Sequence, residues 1–140
     1  MTVFRLPDDA CRFPNPLSIP EEERDPMGFY AIGGDLRTER LLNASANGIF
    51  PWSDFRKPEL HWYCPMRRFV IFPDEIHVSH SMRTLRNKHL YTTSFDRDFE
   101  GVIRRCSDQR IDLPGAWLGP QIIEAYTRLH HLGHAHSVEV

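Results

Sequence analysis

Leu41, Leu42 and Ala46, with Ile49 a further step on, mark one apolar side between Gly34 and Gly48. That spacing predicts a short helix over about 38–47. Gly48 suits a helix C-terminus and Pro51 forbids any further turn, so the helix ends before Trp52. The period then changes. The segments ELHWYCP and MRRFVIFP, aromatic and β-branched and bounded by Pro65 and Pro73, predict two short strands. Ser79 caps a predicted helix over about 80–88, with Met82 and Leu85 on one side and His80, Arg83, Asn87 and Lys88 around the other. HLYTTSF alternates as a strand does, and Asp96 or Asp98 is placed to cap a helix of about 98–107. After the loop DQRIDLPGAWLGP, Pro120 opens a helix through about Leu132, with Ile122, Ile123, Tyr126 and Leu129 at core spacing. Gly133 ends it, and AHSVEV begins a strand. There is no internal repeat. Helices and strands mix without strict alternation, which is the α+β class.

The first 30 residues have a different character. Pro7, Pro14, Pro16, Pro20 and Pro26, with the acidic run Glu21 to Glu23, predict an extended arm over residues 1–30, ordered by packing if at all. At the other end, alternation continues to Val140 with no turn or cap. A sheet edge is expected there, with partner strands encoded elsewhere or missing.

Composition narrows the class without naming a chemistry. A chain of 140 residues, 41% hydrophobic and 26% charged, suits one soluble globular domain. No run approaches the roughly 18 apolar residues of a membrane span, and the N-terminus lacks a basic stretch followed by an apolar one. Cys11, Cys64 and Cys106 are widely spaced with no C-x-x-C, which reads as reduced thiols in a cytoplasm. The net charge of −2 argues against a dedicated nucleic-acid binder, but the distribution is uneven. Residues 1–55 carry 5 Lys and Arg against 9 Asp and Glu, whereas residues 56–110 carry 11 against 7. A basic middle of that kind can meet phosphates, or it can be an ordinary solvated face.

Familiar catalytic motifs are absent. Gly33-Gly34 is a lone pair followed by Asp35, not a phosphate loop, and there is no G-x-S-x-G elbow. His130, His134 and His136 invite a metal, but the His130 to His134 interval straddles Gly133, so the rings do not share a helix face and no metal is expected. The tryptophans are more informative. Trp62 falls on a strand pattern and reads as core. Trp52 and Trp117 each sit beside a helix end, flanked by Gly or Pro. Such indoles either stack on nucleobases, at about 1–3 kcal/mol each, or fold over the core; the pattern leaves both readings open.

Four blocks then coincide with one family. GGDLRTERLL, NGIFPW, FPDEIHVSHSMR and IIEAYTRLHHLGHAHSVEV, in that order and spacing, resemble the leucyl/phenylalanyl-tRNA–protein transferases. The resemblance runs from about Phe13 to the last residue. It implies an aminoacyltransferase that moves leucine or phenylalanine from aminoacyl-tRNA to the N-terminal Arg or Lys of an acceptor protein, feeding degradation that depends on the N-terminal residue. It also implies an N-terminal α+β domain over 31–115 and, over 116–140, the truncated beginning of an acetyltransferase-like (GNAT) lobe. Trp52 and Trp117 correspond to the family's pair around the terminal adenosine of the tRNA. His80, Arg83, Arg86 and Lys88 correspond to its basic helix at the acceptor stem. No cofactor is implied.

This chain departs from the family pattern at several points. Arg37-Thr38 stands where Ser-Pro is usual, H-W-Y-C-P-M-R replaces W-W-S-P-D-P-R, and Gly-Ala-Trp-Leu replaces Gly-Thr-Trp-Ile. The family's transfer-step residues would lie past Val140, so no catalytic residue is assigned within 1–140, and turnover by this chain alone is not expected. A split enzyme with a separately encoded C-terminal half, a non-catalytic module that binds the tRNA end, and a truncated product that does not fold stably all stay open.

Overall fold

The proline-rich start of the chain is built into the main sheet. A computed structural model describes residues 1–140, and in it β1 (Phe4–Leu6) runs parallel to β2 (Phe29–Gly33), with Phe4 opposite Ala31 and Leu6 opposite Gly33. Strands β3 (Phe50–Pro51) and β4 (His61–Tyr63) complete a four-stranded sheet in the order β1-β2-β4-β3. β4 is antiparallel to both its neighbours, and a register shift between Phe29 and Ala31 marks a bulge in β2. Pro51 is tolerated because β3 is the edge strand.

The residues between β1 and β2 pack against the sheet. Phe13 sets its ring edge-on to Trp62 at 4.9 Å, the Tyr30 hydroxyl donates to the Pro14 carbonyl, and Ile19 is buried. Asp25 Oδ1 accepts from the Met27 and Phe29 amides, which aims the chain into β2. Gly28 makes that entry possible. Its φ is +84°, and a Cβ there would meet the Pro65 backbone at 2.6 Å.

Side-chain alternation on β4 puts Trp62 wholly inside and leaves His61 and Tyr63 half-buried on the opposite face. On the inner side the core takes Leu6, Tyr30, Ala31 and Trp62 from the sheet and Leu41 and Ala44 from α1 (Thr38–Ala46). Ile122, Ala125 and Leu129 of α4 (Pro120–His131) complete it. Arg40 of α1 is also fully buried, with Nη2 donating to the Pro7 carbonyl at 2.7 Å and Nε facing Asp35 at 3.4 Å.

The helices follow their sequence signals closely. α2 spans His80–Asn87, with the Ser79 hydroxyl accepting from the Met82 amide at 3.3 Å. α3 spans Phe99–Asp108, and its cap is Asp98, which accepts from Gly101 at 3.1 Å. Asp96, the other candidate, instead adopts a φ of +54° and bonds to the segment after α4.

The strands follow theirs less well. MRRFVIFP forms no strand: Phe69, Val70, Ile71 and Phe72 are exposed coil leading into a single 3-10 turn at Pro73–Glu75. HLYTTSF contracts to β5 (Ser94–Phe95), which pairs antiparallel with β6 (Val138–Glu139) in a separate two-stranded sheet. Both corrections have one cause. β-propensity describes side chains that suit a pleated surface, but a strand also needs a neighbour to take its backbone hydrogen bonds. No strand lies alongside 66–72, and only two residues of β6 meet β5.

Candidate nucleic-acid interface

The sheet and α4 bring Trp52 and Trp117 to one place. Trp52 is not in the open loop that the helix stop suggests: it directly follows β3, and its amide donates to the His61 carbonyl at 2.9 Å. The ladder thus holds its backbone while the indole stays 42% exposed, edge-on to Tyr63 at 5.3 Å. Trp117 lies just ahead of α4, half-buried against the core. Its neighbours fix it on both sides: Ala116 is buried, and the Leu118 carbonyl accepts from the Ser107 hydroxyl at 2.5 Å.

Hydrogen bonds clamp the two tryptophan-bearing segments together. The Phe55 amide donates to the Ala116 carbonyl at 3.1 Å, the Gly115 amide to Asp54 Oδ2 at 3.4 Å, and Arg56 Nη2 to the Ile111 carbonyl. Asp54 also accepts from the Arg56 amide, and these backbone donors hold its carboxyl below the usual carboxylate range.

Both tryptophans line a cleft of about 500 Å³. Phe50, Pro51, Leu113, Pro114, Ala116 and Leu118 give it mostly apolar walls. Tyr126 enters from α4, and burial pushes its hydroxyl pKa up, which keeps it a proton donor. Arg110 is the only charged side chain in the lining. A second cleft of about 450 Å³ lies on another side of Trp52, walled by Phe29, His61 and Tyr63 with Lys57, Asp25 and Asp54. The largest cleft, about 1030 Å³, lies elsewhere, and its three arginines are already matched in Arg37–Asp35, Arg5–Glu59 and Arg128–Glu124 pairs.

The predicted site residues fall into two groups. Trp52 and Trp117 share a cleft. His80, Arg83, Arg86 and Lys88 share α2 and its C-terminal cap, all solvent-exposed, and none of them lines that cleft. Met82 and Leu85 on the same helix are exposed as well, so α2 buries no residue. The histidines at and beyond the end of α4 have other partners: His130 Nδ1 lies 2.9 Å from the Ala135 carbonyl and His136 Nδ1 lies 2.7 Å from Asp96. No three metal-ligating side chains converge anywhere in the chain. No helix is long and apolar enough to cross a membrane.

Sequence reasoning missed two cleft residues. Tyr126 had a signal, its i+4 spacing from Ile122, but that spacing reads as core. Arg110 had none, because only the turn after α3 carries it to the cleft.

Comparison with known proteins adds the following. Residues 70–140 match the family described as leucyl/phenylalanyl-tRNA protein transferase, and residues 34–66 match the N-terminal domain of that transferase. Proteins named leucyl/phenylalanyl-tRNA–protein transferase align along the chain. One from Maridesulfovibrio salexigens is 47% identical over 141 residues, covering 100% of this chain and 56% of its own length. One from Azotobacter vinelandii is 45% identical, covering 94% of this chain and 59% of its own length. One from Syntrophobacter fumaroxidans is 45% identical, covering 99% and 57%. The chain therefore spans less than two thirds of the length of these relatives.

Proposed function

The chain belongs to the leucyl/phenylalanyl-tRNA–protein transferase family, and from that premise we propose that it grips the 3′ end of an aminoacyl-tRNA for aminoacyl transfer. The amino acid is leucine or phenylalanine, and the acceptor is a protein with N-terminal Arg or Lys. In this reading Trp52 and Trp117 stack on the terminal adenosine, while His80, Arg83, Arg86 and Lys88 meet acceptor-stem phosphates. One observation carries it: two indoles 65 positions apart line a single apolar cleft of about 500 Å³, within the usual size of small-molecule sites. Stacking suits that geometry because the tRNA end is single-stranded and its bases are free to be splayed onto aromatic rings. Exposed cations on α2 suit phosphate positioning, which sets register without reading sequence.

The chemistry asks little of the protein. The aminoacyl ester is already activated, so transfer requires that the acceptor amine be held near the ester carbonyl and lose a proton as it attacks. The proposal extends to organisation and setting: an N-terminal domain over 31–115, a GNAT-like lobe beginning at 116, a cytoplasmic location, and a product that enters N-terminal-residue-dependent degradation. A grip without transfer is the second reading. It is favoured by the cleft lining, which contains no Asp, Glu or His to serve as base.

The test supplies charged tRNA and an Arg-starting peptide to this chain. The assay is then repeated with the remaining part of the Maridesulfovibrio salexigens relative added in trans. Transfer in the mixture supports a split or partial transferase. Charged-tRNA binding without transfer in either arm supports the grip alone, and absence of binding in both overturns the proposal.

A further inference from the structure

The Trp52–Trp117 cleft has mostly apolar walls and a single charged side chain. Arg110, just past the end of α3, is its only charged lining residue. The neighbouring arginines are all engaged: Arg56 with Asp54, Arg104 with Glu100 and Arg105 with Asp98. Arg110 makes no such pair, and its backbone is fixed at both ends, its amide donating to Ser107 and its carbonyl accepting from Leu113. A guanidinium without a carboxylate, lining an aromatic cleft, is complementary to a ligand with a flat base at one end and an anion at the other.

We propose that the cleft takes a nucleoside 5′-phosphate unit, with Arg110 binding the phosphate that links the terminal nucleotide to the rest of an RNA strand. The inference rests on the stacking role given above to Trp52 and Trp117, and adds to it a polarity. The base lies between the indoles, the Tyr126 hydroxyl is available to the base or ribose, and the strand leaves past Arg110. A grip on the linking phosphate would also discriminate against free nucleosides, which offer the same ring and no anion. Recognition by Arg110 would be of charge and geometry rather than base identity.

Native tryptophan fluorescence of the whole chain, titrated with adenosine, adenosine 5′-monophosphate and the dinucleotide CpA, tests this directly. CpA should bind about tenfold more tightly than adenosine, the scale of a charge-assisted hydrogen bond, and the advantage should shrink as salt rises. Arg110→Ala should bring CpA down to the adenosine level and leave adenosine unchanged, while Arg110→Lys keeps part of the gain. Near-UV circular dichroism checks that both variants keep their packing. If adenosine and CpA bind alike to the wild-type chain, or if Arg110→Ala weakens both equally, the Arg110 assignment is overturned and the stacking reading stands. A gain for the monophosphate but not for CpA assigns the site to free nucleotides and overturns the RNA-end assignment. If no probe binds, the stacking reading itself falls.

Discussion

The Phe55 amide donates to the Ala116 carbonyl at 3.1 Å, and this bond joins the segment after Trp52 to the segment before Trp117. It makes the cleft a property of two loops held together rather than of either loop. Asp54 reinforces the junction by accepting from both Arg56 and Gly115. Asp54→Ala should therefore loosen the cleft and weaken adenosine binding roughly threefold, about what misplacing one aromatic wall would lose of a stacking interaction. The carboxyl titrates below its usual range, so the junction is complete above about pH 4 and is lost as the pH falls through the lowered value. Adenosine titrations of the variant and the parent at pH 7 read the loss of affinity, and equal affinity in the two would remove Asp54 from the account.

Three tryptophans should answer mutation in different ways. Trp62 is fully buried, and its Nε1–H donates to the Gly33 carbonyl at 2.9 Å. Trp62→Ala should cost about 3–5 kcal/mol of stability, the range for an aromatic removed from a core. Trp52→Ala and Trp117→Ala should each cost about 1–3 kcal/mol of adenosine affinity and leave the chain folded by circular dichroism. Urea unfolding and fluorescence titration separate the two effects. Should Trp52→Ala unfold the chain while adenosine leaves the fluorescence of the parent unchanged, Trp52 is a structural residue.

What could be read from the sequence follows from how locally each element is specified. The helices were legible because their caps are neighbours in the chain: Ser79, Asp98, Pro120 and Gly133 act within one turn of their own position. β2 was missed because FYAIG lies against a proline-rich segment, and its partners, β1 and β4, lie more than twenty residues away on either side. MRRFVIFP misled for the converse reason, having the side chains of a strand with no neighbour to pair with. Among site residues, Trp52 and Trp117 stood out because a glycine- or proline-flanked tryptophan is locally odd. An arginine after a helix is common, so Arg110 became notable only once the fold placed it beside the indoles.

The α2 cations should act on binding alone. Arg83, Arg86 and Lys88 are exposed and α2 buries nothing, so replacing each with Ala should change stability by no more than about 0.5 kcal/mol. If these residues meet phosphates, tRNA affinity should fall and the slope of log affinity against log salt should flatten by up to about three. Filter binding at several salt concentrations measures the slope. An unaltered slope would leave α2 an ordinary solvated helix.

The pairing of β5 with β6 should depend on pH. Asp96 accepts from the Ser137 amide at 2.8 Å and lies 2.7 Å from His136 Nδ1, with His130 at 3.8 Å stacked on the Phe99 ring. The contact with His136 lowers the Asp96 pKa and raises that of His136. Beside them, Glu139 accepts from the Ser137 and Ser94 hydroxyls, each at 2.6 Å, and these bonds bring its pKa down to about 2. The signs oppose. The carboxylates stabilise the native state above about pH 4.5, and that stabilisation is lost as pH falls through their lowered values, Asp96 and Glu139 both protonating on the acid side. His136 stabilises it below its unfolded value of about 6.5, and that contribution is lost as pH rises through its raised native pKa. Protection of the two-stranded sheet should therefore be greatest between about pH 4.5 and 6.5 and decline on both sides. Amide exchange at Asp96 and Ser137, corrected for intrinsic rates, follows the sheet while an NMR titration follows the His136 ring. Asp96→Asn should return His136 to its ordinary titration and remove the decline on the alkaline side. A His136 ring that titrates alike in both proteins would show that the Asp96 contact does not set the pH response.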